Sequence, residues 1–262
     1  MKAPISVIIL TYNEEIHIER LLKNIADFAD EIFIVDSYST DKTLEIAKKY
    51  GVKIIQHEFE NQAQQFNWAL DNLEIKNEWI LRLDADEYLT PELKKEIKEN
   101  FSATVNGYYM KRRVYFMGRW IKHGGYYPTW ILRLFRKGKA RSEQRKIDEH
   151  IVLLEGKTGR FKNDFADENK KDLTFWIEKH NNYSSKEATD VLIGNYGRGC
   201  KKYYYRLPIF FRVCVYFCYR YFIRLGFLDG KEGLIFHFLQ GFWYRFLVDA
   251  KIYEKRKINK NT

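Results

Sequence analysis

Ile5-Ser6-Val7-Ile8-Ile9-Leu10-Thr11-Tyr12-Asn13-Glu14 reads as a buried strand that ends abruptly in a polar turn. Its apolar residues fall on both parities, so both faces of the strand need covering, as in a parallel sheet with helices on each side. Residues 14 to 28 then change to helical spacing, with Ile18, Leu21, Leu22 and Ile25 on one face. Ile32-Phe33-Ile34-Val35 is a second buried strand closed by Asp36, and Ser39-Thr40-Asp41 offers an N-cap for a helix through Lys49. Val52 to Ile55 predicts a third strand, residues 61 to 73 a third helix, and Trp79 to Leu83 a fourth strand. Thr90-Pro91-Glu92 opens the next helix, with threonine as cap and proline in its tolerated first position. Strands alternating with helices imply a mostly parallel sheet with right-handed crossovers, whose ligands lie at the carboxyl ends of the strands. Three polar clusters should therefore converge on one edge: Thr11-Tyr12-Asn13-Glu14, Asp36-Ser37 and Asp84-Ala85-Asp86-Glu87.

Beyond Asn106 the pattern changes. Segments 107–117 and 130–136 predict strands of mixed direction, residues 173–196 a helix, and residues 203–253 two aromatic-rich helical stretches broken at Gly226-Phe227-Leu228-Asp229-Gly230. The net charge of +10 is confined to the end of the chain: residues 198–262 hold 14 Lys and Arg against four acids, and residues 1–197 are neutral. The expected organisation is a catalytic domain over 1–172 and a helical, basic, aromatic-rich extension over 173–262. In that extension Arg212 and Arg220 lie among Phe210, Phe211, Val215, Phe217 and Tyr219, and Arg245 follows Phe242, Trp243 and Tyr244. Aromatics interleaved with arginine suit the headgroup boundary of an anionic membrane, packing against the catalytic part being the competing use. No run of 18 apolar residues predicts a spanning helix. The N-terminus lacks a signal-peptide pattern, which favours a cytoplasmic location. Cys200, Cys214 and Cys218 have no metal-ligand spacing and read as small apolar residues in a reducing compartment.

Chemistry concentrates where the fourth strand ends. Trp79-Ile80-Leu81-Arg82-Leu83 drives into a core, and Asp84, Asp86 and Glu87 follow at its tip. Hard cations such as Mg²⁺ or Mn²⁺ take oxygen ligands, commonly one or two carboxylates completed by substrate phosphates, and they balance charge developing on a diphosphate leaving group. A solvated acidic turn is the plainer reading of an isolated Asp-x-Asp. At the end of the second strand Asp36 can accept an imide N–H of uracil or cap the following turn, and Tyr12 can stack on a base. His150 and His180 are candidate late metal ligands, more commonly structural. Arg133 and Arg136 lie in a strand-like run where either could clamp an anionic acceptor, a surface role being the plainer one for Arg136.

Val7-Ile8-Ile9-Leu10-Thr11-Tyr12-Asn13-Glu14, Ile34-Val35-Asp36-Ser37-Tyr38-Ser39-Thr40-Asp41 and Leu83-Asp84-Ala85-Asp86 resemble, in order and spacing, the motifs of family 2 glycosyltransferases, which are inverting enzymes of the GT-A fold. Gln62 to Leu70 looks like the family's element before the metal strand, with Asn67 at its usual asparagine. The resemblance covers roughly residues 4–160. Lys179-His180-Asn181-Asn182-Tyr183-Ser184 and Phe227-Leu228-Asp229-Gly230-Lys231-Glu232-Gly233 extend it to the lipopolysaccharide-core glucosyltransferase branch. It implies a Rossmann-like GT-A sheet with a C-terminal amphipathic helical extension. It also implies a nucleotide-sugar donor gripped by Thr11, Tyr12, Asn13, Glu14, Asp36, Gln65 and Asp84. Asp86, with Asp84, would hold Mg²⁺ or Mn²⁺ through the diphosphate. Glu149 is the implied general base, with Asp148 beside it as the second candidate. The chain departs from the branch's His-Glu pair by carrying Asp148 before the glutamate.

The expected activity is transfer of a UDP-linked hexose to a membrane-associated glycan or glycolipid, such as lipopolysaccharide core, capsule or a lipid-linked oligosaccharide. The expected place is peripheral, on the inner face of the cell membrane. A sugar-nucleotidyltransferase would need a glycine-rich phosphate loop after the first strand, and Thr11-Tyr12-Asn13-Glu14 contains no glycine. Nucleic-acid binding through the basic tail is disfavoured, because its cations alternate with bulky aliphatics and no binding motif accompanies them.

Overall fold

The computed structural model describes residues 1–102, 104–143, 150–194 and 201–261. The chain forms two compact units, one from residues 1–115 and 128–170 and the other from residues 116–127 and 171–262. Residues 116–127 therefore belong with the C-terminal helices, although the sequence placed them in the catalytic part.

The first unit begins with β1 (Ala3–Thr11), α1 (Glu15–Ile25), β2 (Ala29–Asp36), α2 (Thr43–Lys48), β3 (Lys53–Gln56), α3 (Gln62–Asn72) and β4 (Trp79–Asp84). It continues with β5 (Glu87–Leu89), α4 (Pro91–Glu99) and β6 (Gly107–Phe116). A two-residue strand of the other unit, β7 (Arg119–Trp120), follows, and then β8 (Thr129–Arg136), β9 (Ala140–Ser142), β10 (Ile151–Leu153) and β11 (Thr158–Glu168). The main sheet runs β3-β2-β1-β4-β8-β6-β11-β5. Its first four strands are parallel, β8 is antiparallel to both neighbours, and β11 is parallel to β6 but antiparallel to β5. This is the mixed α/β, GT-A-like sheet the sequence leads one to expect.

The two parities of the first strand account for the layers. Val7 and Ile9 pack with Leu81, Leu83 and the α1 residues Ile18, Leu21 and Leu22 on one face. Ile8 packs with Phe33, Val35, Ile80 and the α3 residues Phe66 and Ala69 on the other. Thr90 caps α4 by accepting from the Leu93 N–H at 3.3 Å, and Asn61 caps α3 by accepting from Gln64 at 2.9 Å. Helix α2 starts later than expected, because Ser39 and Thr40 bond to Asp36 and Asn13 instead, and Asp41 takes the Thr43 N–H at 2.9 Å.

In the second unit β7 is joined by α5 (Leu173–Leu192), α6 (Lys201–Tyr204) and α7 (Phe211–Cys218), which runs on into a π-helical turn, Tyr219–Ile223. A 3₁₀ turn, Gly226–Asp229, leads to α8 (Gly230–His237), a second π-helical turn, Phe238–Trp243, and α9 (Tyr244–Asn261). Ala188 and Val191 of α5 pack on Tyr244, Val248 and Ile252 of α9. The expected break at Gly226–Gly230 is a knot around Asp229. This buried carboxylate accepts the His123 N–H at 2.9 Å, the His123 ring at 2.6 Å and the Lys122 N–H at 3.2 Å. A Cβ at Gly124 would overlap the His237 ring, so only glycine fits there. Cys214 and Cys218 are exposed on α7, and Cys200 lies outside the described residues.

The arginines expected to face lipid headgroups point inward. Arg212 is buried on Asp249 with Nε 3.0 Å from Oδ1, Arg220 lies 3.9 Å over the Tyr126 ring and donates to the Gly124 carbonyl, and Arg245 reaches Glu187 at 2.8 Å. Each finds an internal carboxylate, carbonyl or aromatic face that compensates the burial of its guanidinium. Among the described residues no helix is long and apolar enough to cross a membrane.

Candidate active site

Register brings the three polar clusters together. Thr11 lies opposite Asp36 across β1 and β2, and Leu10 lies opposite Asp84 across β1 and β4. The edge at which β1 sits between strands leading in opposite directions is where a parallel sheet opens a ligand crevice. Asp36 is fully buried there. Its Oδ1 accepts from Thr11 Oγ1 at 2.9 Å and Ser39 Oγ at 2.5 Å, and its Oδ2 from the Ser39 N–H at 2.9 Å and Gln56 Nε2 at 3.2 Å. Asp36 thus already organises both loops. Asn13 ties them further, donating its N–H to Ser39 Oγ at 2.9 Å and accepting the Thr40 N–H at 2.8 Å. Glu14 donates its N–H to Thr43 Oγ1 at 2.8 Å, and its carboxylate accepts from His17 Nδ1 at 2.6 Å.

Two rings stand out of this cross-tied edge. Tyr12 is 58% exposed and Tyr38 56% exposed. Tyr38 holds a left-handed backbone with φ of 59°, a conformation that costs a non-glycine residue energy and collects at binding sites. The sequence singled out Tyr12 only, since nothing in Asp-Ser-Tyr-Ser reveals the backbone of its tyrosine.

The Asp84–Glu87 turn is held from beneath. Glu87 is buried, accepts the Asp84 N–H at 2.9 Å and is ion-paired to Arg133, which also reaches Asp84 at 3.2 Å. Burial pushes the Glu87 carboxyl upward, and the Arg133 charge beside it pulls it back down. Burial disfavours the Arg133 charge too, but Glu87 and Asp84 outweigh it and hold the guanidinium well above its ordinary range. Arg133 is therefore engaged within this turn, and Arg136 is engaged with Glu78, the Val105 carbonyl and the Trp79 ring. Asp84, half-buried, also lies 3.5 Å from Arg82. Asp86 accepts from Asn169 Nδ2 at 2.9 Å, while its carbonyl takes Arg20 at 2.9 Å and the Glu168 N–H at 3.0 Å. Arg20 and Asn169 are supporting residues that sequence reasoning missed, because they arrive from α1 and from just beyond β11. Arg133 was singled out, but as an acceptor clamp and not as a support for this turn.

This donor set fits a hard divalent cation shared with a ligand. Two half-buried carboxylates at a strand end offer oxygens alone, and diphosphate oxygens complete such a sphere. Among the described residues no group of three or more His, Cys, Asp or Glu is placed to cage an ion by itself. His180 lies in the second unit, stacked 3.5 Å from Trp176, and His150 is exposed.

Gln65 is buried and fixed, its Oε1 taking His57 Nδ1 at 2.7 Å and its Nε2 reaching Ser37 Oγ at 3.2 Å. Asn67 makes a two-pronged bond to β9, donating to the Ser142 carbonyl and accepting the Ser142 N–H, both at 2.9 Å. A cavity of about 580 Å³ lies beside α3, with His57, Gln65, Asn67 and Arg141 in its wall, and neither Asp84 nor Asp86 lines it. Strands β9 and β10 pair antiparallel with Ser142 opposite Ile151. Asp148 and Glu149, the two candidate bases, fall between these strands and lie outside the described residues.

The profile described as Glycosyl transferase family 2 matches residues 6–154. The lipopolysaccharide core biosynthesis glycosyltransferase LpsC of Rhizobium meliloti (strain 1021) is 30% identical over 278 residues, covering 98% of this chain and 94% of that protein. An uncharacterized glycosyltransferase of Rickettsia bellii (strain RML369-C) is 38% identical over 110 residues, or 42% of this chain and 37% of that one. The mannosyltransferase PcManGT from Pyrobaculum calidifontis, solved with GDP-Man and Mn2+, shares the fold at a TM-score of 0.56 and 14% identity, covering 97% of this chain and 88% of that one.

Proposed function

This chain belongs to glycosyl transferase family 2, and from that we propose that it is an inverting, metal-dependent hexosyltransferase using a UDP-linked donor. The acceptor we propose is a membrane-associated glycan or glycolipid, such as lipopolysaccharide core, capsule or a lipid-linked oligosaccharide. The observation that carries this reading is the register that sets Thr11 against Asp36 and Leu10 against Asp84 on one sheet edge. The nucleotide sugar in PcManGT and the lipopolysaccharide-core role in the name of LpsC support the donor and acceptor classes.

In this mechanism Thr11, Tyr12, Asn13, Glu14, Asp36 and Gln65 form the nucleoside cradle. Tyr12 stacks on the base, and Asp36 exchanges one of its protein donors for a base N–H. Asp86, with Asp84, is the pair that would hold Mg²⁺ or Mn²⁺, which when bound neutralises charge on the diphosphate leaving group. The acceptor hydroxyl oxygen attacks the anomeric carbon as the bond to diphosphate breaks, inverting that centre. Glu149, or Asp148 beside it, takes the hydroxyl proton. The first unit supplies this chemistry, and the second keeps the enzyme peripheral on the inner face of the cell membrane.

Donor hydrolysis and transfer, screened across nucleotide sugars with and without Mn²⁺, test the reading. UDP-sugar turnover that needs the ion is expected, and Asp86→Asn should abolish it while leaving the fold intact. Full turnover by Asp86→Asn, or by the wild type in excess chelator, would overturn the metal assignment. Consumption of GDP-sugars alone would replace the proposed donor.

A further inference from the structure

We propose that the second unit inserts one continuous apolar face into the headgroup–acyl boundary of an anionic bilayer, and that this face, not the unit's arginines, supplies most of the attraction. Resting on the peripheral association proposed above, this names the residues that enter the lipid. Helix α7 and its π-helical turn expose Phe211, Val215, Tyr219, Phe222 and Ile223 at helical spacing. Phe211 is 59%, Phe222 55% and Ile223 71% exposed, large values for side chains whose burial drives folding. Along them runs an apolar furrow of about 430 Å³, with Cys214 and Cys218 in its wall.

The next helical stretch adds a parallel row. Leu234, Phe238 and Phe246 are exposed, and Phe242 stacks between the last two at 5.4 and 6.2 Å. Phe217 joins the rows edge-on to Phe238 at 6.3 Å and Phe242 at 6.0 Å, and Phe210 meets Phe246 at 4.9 Å. The turn between them exposes Leu225, Phe227 and Leu228. The result is a connected surface of rings and aliphatic chains on one unit.

Charge decides the occupant. Between residues 203 and 248 the acids are Asp229, buried beneath His123 and His237, and Glu232, half-buried. Arg206, Arg224 and Lys231 are exposed in the same span, while Arg212, Arg220 and Arg245 are committed internally. A second copy docked face to face would bring together two surfaces with the same excess of positive charge, which is unfavourable. Anionic headgroups complement them, and acyl chains cover the rings.

Flotation of the full-length protein with phosphatidylcholine vesicles, with and without phosphatidylglycerol, reads the insertion. Binding should favour the anionic vesicles, weaken in high salt and persist there, because the apolar part is insensitive to salt. Phe222→Ser with Ile223→Ser should lower partitioning by about tenfold or more, with circular dichroism and vesicle-free donor hydrolysis unchanged. Ile223→Trp should add fluorescence that brominated acyl chains quench on binding. Wild-type binding by the serine pair, or an added indole signal that stays unquenched on bound Ile223→Trp protein, overturns the inserted face. A wild-type dimer that the serine pair dissociates, without any change in vesicle binding, assigns the face to a second copy instead. Lost donor hydrolysis with vesicle binding intact would fail the catalytic reading and leave the insertion standing.

Discussion

Arg133 is placed by β8 directly beside the turn that carries Asp84, and the same guanidinium nitrogen reaches both Asp84 and the buried Glu87. Removing one member of a buried ion pair leaves a charge without compensation, at a cost of about 3–5 kcal/mol. Arg133→Met should therefore destabilise the first unit by about that much in urea unfolding, and adding Glu87→Gln should recover part of the loss. Equal losses in the single and double variants would show that the pair is not coupled. His180 carries a different dependence. Burial lowers its pKa from 6.5 to about 4, against the bond from its Nδ1–H to the Trp176 carbonyl. Its neutral form is thus favoured in the folded protein. The stability it contributes is complete above pH 6.5 and is lost as pH falls toward 4, by at most about 1.4 kcal/mol per pH unit. Tm measured across that window should fall on acidification, and His180→Gln should flatten the slope. From sequence Arg133 was a candidate clamp for an acceptor and His180 a candidate late ligand with a structural role the commoner one, because neither strand adjacency nor burial is written in local spacing.

At the scale of elements, the four parallel strands were legible since each carries apolar residues on both faces. Strands β5, β9, β10 and β11 were not. In β11, Thr158–Glu168, polar residues are buried through pairing rather than through hydrophobicity: Asp164 takes Arg113 at 2.6 Å and Lys111 at 3.2 Å, both from β6. The β9–β10 hairpin is short, and its place is fixed by Asn67 of α3, whose role the motif did not disclose. Asn67→Ala should remove both bonds to Ser142, costing about 1–3 kcal/mol and lowering kcat more than it raises the donor KM, as β9 loses its tie to α3. An unchanged kcat would separate the hairpin from catalysis. Glu149→Gln should reduce transfer by about 10² to 10⁴-fold with donor binding retained. A larger effect from Asp148→Asn would reverse the two roles.

For the molecule as a whole, the concentration of positive charge after residue 197 was visible in the sequence, but its allocation was not. Three of those cations serve internal pairs, and the excess that faces outward is smaller than the count implies. The second unit also takes residues 116–127 from the middle of the chain. A chain truncated near Gly199 would keep that segment and lose Asp229 and His237, which hold it. Such a fragment should unfold at a lower temperature than the full chain and aggregate, as size-exclusion chromatography would show. A monodisperse fragment melting like the full protein would make residues 116–127 independent of the helices.

The knot at Asp229 also sets a clock for synthesis. His123 and its acceptor are 106 residues apart. At about 5–20 residues per second on the ribosome, His123 emerges roughly 5–20 s before the carboxylate that receives it. Throughout that interval Gly124 has no imidazole to pack against, and the nascent segment is a ready client for a chaperone. Slow codons between the two would lengthen the delay without altering a single contact in the finished protein.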